Sequence, residues 1–306
     1  MFKLFRTRQS GPHAADSPTD QPPPPAGEPC DRFNGLSAPA WLEILIRSID
    51  EPVIDGVRMP AFPDDTLQTN TVGHAGAQPL REAFMYFALV EQYTQKLGRP
   101  LGRTTQLLDF GCGWGRILRF FLRDCQAAHL RGVDVDPMLV DVCRSTFPYA
   151  TFDPVQPLPP TVFPDASFDV ITAYSVFSHL AEHASLAWVH EFARILKPGG
   201  VMLVTTQRRD FLAFCESLRG QEHGHGWHKA LSRAFLDTQA AYDAYDAGQY
   251  LYAPTGGGPS RPADFYGEAL IPEGYVRKHY TRELDFVDFV SDPARLAQAL
   301  IVMQKR

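Results

Sequence analysis

The chain has no run approaching the ~20 consecutive apolar residues that a membrane-crossing helix requires, so no membrane span is expected. Cysteine is scarce. Cys30, Cys112, Cys125, Cys143 and Cys215 are five in all, an odd number, with no Cys-x-x-Cys among them. That argues against a disulfide framework or a zinc site and fits reduced thiols in the cytoplasm. No metal centre is expected. The first residues, Met1 to Arg8, are basic but lack an apolar stretch and a small-residue cleavage site, so no signal peptide is read there. Positive charge is not in excess. Lys and Arg number 29 against 35 Asp and Glu, a net charge of −6, which disfavours a nucleic-acid partner bound through bulk charge. No internal repeat of roughly 20–50 residues is found.

What is present is ordinary globular material. Of 306 residues, 44% are apolar and 21% charged, enough for one large domain or two small ones. Residues 1–30, with the proline run Pro22 to Pro25, have few large apolar side chains to bury and are expected to be a disordered tail. Order is expected from about Trp41, in a short helix, followed by a proline-broken segment and a second helix from about Pro79 to Leu97. Residues 31–104 thus read as a helical cap.

From Gln106 the rhythm changes. Short apolar runs at 106–110, 130–135, 150–152, 168–174 and 201–206 alternate with helix-spaced segments, including one after the first run carrying Ile117, Phe120 and Phe121. This alternation predicts βαβ units around a parallel sheet. Residues 208 to about 262 break it, with helices expected at 211–218 and 228–250 and a Gly/Pro loop at 255–259. Two strand candidates, 284–290 and 299–304, close the chain.

The sharpest motif is Leu108-Asp-Phe-Gly-Cys-Gly-Trp-Gly115. Glycines permit a tight turn and close backbone approach, and a following helix would offer its N-terminal N–H groups to an anion. The dinucleotide fingerprint Gly-x-Gly-x-x-Gly would need glycine at position 116, where this chain has Arg116. Asp134 lies 23 residues after Gly111, where an acidic residue can accept ribose hydroxyls. Asp136, before Pro137, reads as a helix cap.

These residues, with Pro164-Asp-Ala-Ser-Phe-Asp169 and Leu196-Lys-Pro-Gly-Gly200, make the chain resemble the class I S-adenosylmethionine-dependent methyltransferases over about residues 105–206. The resemblance implies a Rossmann-like α/β fold whose seven-stranded sheet has its last strand antiparallel. It implies a methyltransferase domain over 105–306, with a substrate-capping insertion at about 208–283. S-adenosyl-L-methionine would be the cofactor, with Gly111, Cys112, Gly113 and Gly115 against its methionine part and ribose. Asp109 would orient the loop or the amino group, Asp134 bind the ribose, Val135 and Asp153 flank the adenine, and Tyr174 line the pocket.

Methyl transfer to a hydroxyl calls for a general base, and His179 is the candidate, its imidazole having an ordinary pKa of about 6.5. The plainer alternative is that His179 stabilises its loop. Tyr266, Glu268 and Tyr275 could bind the acceptor or pack the surface. His223, His225 and His228 form a cluster better suited to substrate contact than to a metal. The expected function is methyl transfer, chiefly to oxygen, on a small-molecule or sugar-containing acceptor. The alternatives are an NAD(P)-dependent oxidoreductase and an inactive cofactor-binding relative.

Overall fold

Side-chain alternation organises the molecule around one sheet. The computed structural model describes residues 27–222 and 226–306. The proline run and His223 and His225 lie outside the described residues. A helix forms earlier than Trp41: α1 (Pro29–Phe33) buries Cys30 and Phe33. α2 (Ala38–Arg47) follows, its Ser37 cap accepting from the Ala40 N–H. A short hairpin, β1 (Val53–Ile54) with β2 (Val57–Arg58), and α3 (Asp65–Val72) occupy the proline-broken segment. The long α4 (Ala77–Lys96) completes the N-terminal part.

Next come β3 (Leu107–Phe110), β4 (Leu130–Asp134), α5 (Pro137–Thr146), β5 (Thr151–Pro154), β6 (Phe168–Ala173), α6 (Glu182–Ile195) and β7 (Leu196–Thr206). Asp136 caps α5, as expected from the proline after it. The segment after the glycine loop is a 3-10 turn, Leu118–Arg123, not an α-helix. All six of its residues are buried, and Trp41 Nε1 takes the Phe120 carbonyl at 2.9 Å, so packing overrides propensity there. β7 begins at Leu196, before the expected run at 201–206, so Lys197 to Gly200 belong to the strand.

The segment expected to be an insertion holds α7 (Phe211–Ser217), α8 (Gly226–Leu231), α9 (Thr238–Asp246), β8 (Leu251–Ala253), β9 (Glu268–Leu270) and α10 (Glu273–His279). The single helix expected over 228–250 is thus two. Arg219 draws the Ala234 and Phe235 carbonyls and the Thr238 hydroxyl to itself, Phe235 turns left-handed at φ 48°, and Asp237 restarts the helix as a cap. The chain closes with β10 (Leu284–Val290) and β11 (Ala299–Lys305).

The seven-stranded sheet has the order β10-β11-β7-β6-β3-β4-β5. Its five earlier strands are parallel; β11 is antiparallel to β7 and β10 to β11. Successive residues face opposite layers. Leu107, Val201, Leu203, Leu300 and Val302 join the core under α2, α4 and α5. Leu108, Met202, Val204, Ile301 and Met303 join the core under α6 and α10. The chain runs outward through β3, β4 and β5 and then returns to β6 beside β3. That reversal makes the crevice position at the carboxyl ends of β3 and β6 the expected ligand site, as is usual in such sheets.

Candidate active site at the carboxyl ends of the central strands

The glycine loop is held by backbone bonds. Gly111 and Cys112 both donate to the Val133 carbonyl, at 2.8 and 3.0 Å, and Gly115 donates to the Cys112 carbonyl at 2.9 Å. Gly111, Gly113 and Gly115 have φ of 70°, 54° and 79°, the left-handed region. At Gly111 a side chain is doubly excluded, because a Cβ would stand 2.4 Å from Val176 Cγ2. At Gly113 nothing lies within 4 Å of that position. The Cys112 and Cys143 thiols both point at the Gly113 carbonyl, Cys143 at 3.2 Å. The proximity of Cys143 and burial push the Cys112 thiol well above its ordinary pKa.

Asp134 ends β4 and ties the two neighbouring loops together. Its Oδ2 accepts the Gly113 N–H and its Oδ1 the Asp136 N–H, both at 2.9 Å. Burial raises its carboxyl pKa against those two bonds. Asp109 is 1% exposed. Its Oδ1 accepts from Thr172 at 3.0 Å, while its Oδ2 has no hydrogen-bond partner among the described residues. Burial pushes this carboxyl up to about 7, with the Thr172 bond opposing. Arg116 is buried beside it and makes long contacts to the Pro79 carbonyl at 3.4 Å and Glu82 at 3.5 Å, with its guanidinium 5.3 Å from the Tyr174 ring centre. Tyr174 packs on Tyr86 and borders a small cavity of about 110 Å³ shared with Glu82, Met85 and the 293–297 loop.

Beyond β6 the chain turns sharply through Ser175, a non-glycine at φ 60°. Thr205 accepts its N–H at 2.7 Å and Gln298 donates to its hydroxyl at 3.0 Å, so neighbouring strands hold the strained conformation. The turn delivers His179. Its Nδ1 lies 2.8 Å from the Gly267 carbonyl and 3.6 Å from Glu268 Oε1, and its ring stacks on Tyr266 at 4.9 Å and 10°. A carbonyl only accepts, so Nδ1 carries the proton and Nε2 presents a lone pair. Glu268 is 1% exposed. Trp227 Nε1 donates to its Oε1 at 2.7 Å and Gln207 Nε2 to its Oε2 at 3.3 Å.

Three of the expected site residues, His179, Tyr266 and Glu268, therefore meet in one place. Tyr275 lies elsewhere, buried on α10 with its hydroxyl on Glu182 at 2.6 Å. Val135 is half-buried after β4, and Asp153 is half-exposed on β5 with Arg144 at 3.5 Å. His228 packs on Trp227 and Phe214. Trp227, Gln207 and Arg261 were not singled out from the sequence. Each reaches the site by tertiary folding of the insertion or a strand end, and no local pattern marks them. Among the described residues no group of three or more His, Cys, Asp or Glu could hold a metal, and no helix is long and apolar enough to cross a membrane.

Comparison with known proteins bears on the same segment. Residues 107–200 match the family model described as a methyltransferase domain. A 2-methyl-6-phytyl-1,4-hydroquinone methyltransferase from Synechocystis sp. is 29% identical over 177 residues, covering 54% of this chain and 51% of that protein. A "probable S-adenosylmethionine-dependent methyltransferase" from Mycolicibacterium smegmatis is 33% identical over 152 residues, covering 48% and 56%. The chain spans about half the length of these curated relatives. A solved S-adenosylmethionine-dependent methyltransferase from Mesorhizobium loti aligns over 70% of this chain and 96% of its own, with a TM-score of 0.45 and 12% identity. The glycine loop, Asp134 and the strands between them thus lie in the segment that matches a methyltransferase domain, the segment that carries the resemblance to the class I S-adenosylmethionine-dependent methyltransferases.

Proposed function

We propose that the protein transfers a methyl group from S-adenosylmethionine to an oxygen of a small-molecule or sugar-containing acceptor. The residues of the crevice suit that cofactor. Asp109 offers a buried carboxylate oxygen without a partner, suited to an ammonium group. Each Asp134 oxygen holds one backbone N–H and keeps lone-pair capacity for a ribose hydroxyl. Gly113 leaves open the space a side chain would fill. In this reading Val135 and Asp153 would flank the adenine and Tyr174 would line the pocket. When bound, the cofactor supplies an electrophilic methyl on a sulfonium, so the protein's task is positioning and electrostatics.

The observation that carries oxygen as the acceptor atom is the His179 ring, fixed by Gly267 with Nε2 free to take a proton. Tyr266 orients that ring by stacking, and Glu268 stands where a positive charge on it is stabilised. The hydroquinone named for the Synechocystis relative supports a hydroxylated acceptor. Tyr275 takes part only if the acceptor is large enough to reach α10. The net charge of −6 disfavours a nucleic-acid acceptor, and five free, buried cysteines suit the cytoplasm. A nicotinamide oxidoreductase is disfavoured by Arg116, which stands where the dinucleotide loop needs glycine.

The test is methyl transfer from radiolabelled S-adenosylmethionine to a panel of phenols, quinols and sugars. The reading expects a labelled product from the wild type and a rate about 10²- to 10⁴-fold lower in His179→Ala, with affinity for S-adenosylhomocysteine unchanged. A full rate in His179→Ala removes the general-base role. Cofactor binding with no labelled product from any acceptor leaves the inactive relative as the better reading.

A further inference from the structure

The insertion reaches back to the cofactor side of the crevice through an exposed hairpin. Its base is rigid. Gly256 donates to the Tyr266 carbonyl at 3.1 Å, Gly267 to the His179 carbonyl at 2.7 Å, and Ala181 to the Phe265 carbonyl at 2.8 Å. A Cβ at Gly267 would stand 2.1 Å from the Ala253 carbonyl oxygen, so that end is closely packed. The tip, residues 256–262, is different. Gly256 and Gly258 have φ of 67° and 102°, and Gly257 to Pro259 are exposed. Two side-chain contacts join the tip to the edge of the crevice: Ser260 Oγ to Asp136 Oδ2 at 3.3 Å and Arg261 Nη2 to the same oxygen at 3.7 Å. Asp136 follows Asp134 by two residues, and Arg261 also lies over the Tyr266 ring at 5.5 Å, on the residue that stacks with His179. The Arg261 Nε is buried without a hydrogen-bond partner among the described residues.

We infer that Arg261 is a cofactor-site residue that latches the 256–262 tip over the ribose-binding edge and releases it for cofactor exchange. This rests on the reading of Asp134 as the ribose ligand. Asp134 is 7% exposed, and the tip is fastened to Asp136 two residues further on, so the tip stands beside the ribose edge. The hinge is the glycine run, where φ can change without steric cost. The latch is a partly exposed charge pair and one hydrogen bond, weak enough to open often.

The experiment follows S-adenosylhomocysteine binding by surface plasmon resonance, with hydrogen exchange of the tip amides read in parallel. In the wild type, binding should slow exchange across 256–262, and dissociation should quicken with added salt, which screens the Arg261–Asp136 pair. Arg261→Ala should dissociate roughly three- to tenfold faster, lose the salt dependence, and associate no more slowly. Arg261→Lys should fall between the two. A general loss of structure would slow association instead. Unchanged dissociation in Arg261→Ala, or a tip whose exchange ignores the ligand, overturns the latch while leaving the cofactor reading intact. Absence of S-adenosylhomocysteine binding to the wild type overturns the cofactor reading itself, and the latch with it.

Discussion

The two sides of the crevice are built differently. On the proposed cofactor side, the glycine loop and the turn after β4 are joined by main-chain N–H groups to the Val133 carbonyl and the Asp134 carboxylate. On the proposed acceptor side, side chains from distant segments converge: His179 from the turn after β6, Tyr266 and Glu268 from before and within β9, Trp227 from α8 and Gln207 from the end of β7. A backbone-built site tolerates most changes of side chain and fails where backbone conformation is at stake. A side-chain-built site changes with every substitution. The first suits a group that is always the same, the second one that differs between relatives.

The sharpest way to break this contrast is at the glycines. Gly111→Ala should lose about 3 kcal/mol of stability, combining a left-handed φ with overlap on Val176, and should abolish S-adenosylhomocysteine binding. Gly113→Ala, equally left-handed but unobstructed, should lose only about 1 kcal/mol. Denaturant unfolding of the two variants reads the difference. Equal losses would mean that packing on Val176 does not set the cost. On the other side, Glu268→Ala strips the Trp227 and Gln207 donors of their acceptor and should cost roughly 1–3 kcal/mol, yet leave cofactor affinity within about threefold. A large fall in that affinity would show the two sides to be one energetic unit.

The third prediction concerns pH. The Asp109 carboxyl is raised from 3.8 to about 7 in the folded chain. Between those values the folded state binds more protons than the unfolded one, so stability falls as pH rises through that window and levels off above about 7. Asp109→Asn removes this slope, which thermal unfolding from acid to neutral pH would detect. A cationic ligand group beside Asp109 favours its ionised form, so cofactor binding near pH 6 should release a proton, seen as buffer-dependent heat.

Legibility in the sequence followed the same division. The strands of the sheet, the glycine loop, Asp134 and the Asp136 cap are encoded by neighbours in the chain: apolar runs, glycine spacing, and an acid before proline. His179 was visible because it lies just past a strand end. The 3-10 turn at Leu118–Arg123 was read as a helix because its apolar spacing is helical; full burial and the Trp41 contact decide its form. The break between α8 and α9 depends on Arg219, well before it in the chain, which no local pattern reveals. β8 and β9 are three residues each, too short to declare a period. Trp227, Gln207 and Arg261 gain meaning only from the partners that folding brings them.

The central claim is that Asp134 and the glycine loop hold S-adenosylmethionine. Calorimetric titration of the wild type and Asp134→Ala with S-adenosylmethionine, S-adenosylhomocysteine and NADPH tests it most directly. The account predicts that the wild type binds the first two and not the third, and that Asp134→Ala weakens binding at least tenfold, about 1.4 kcal/mol, while remaining folded. Binding of NADPH by the wild type, or undiminished S-adenosylhomocysteine affinity in Asp134→Ala, would contradict it.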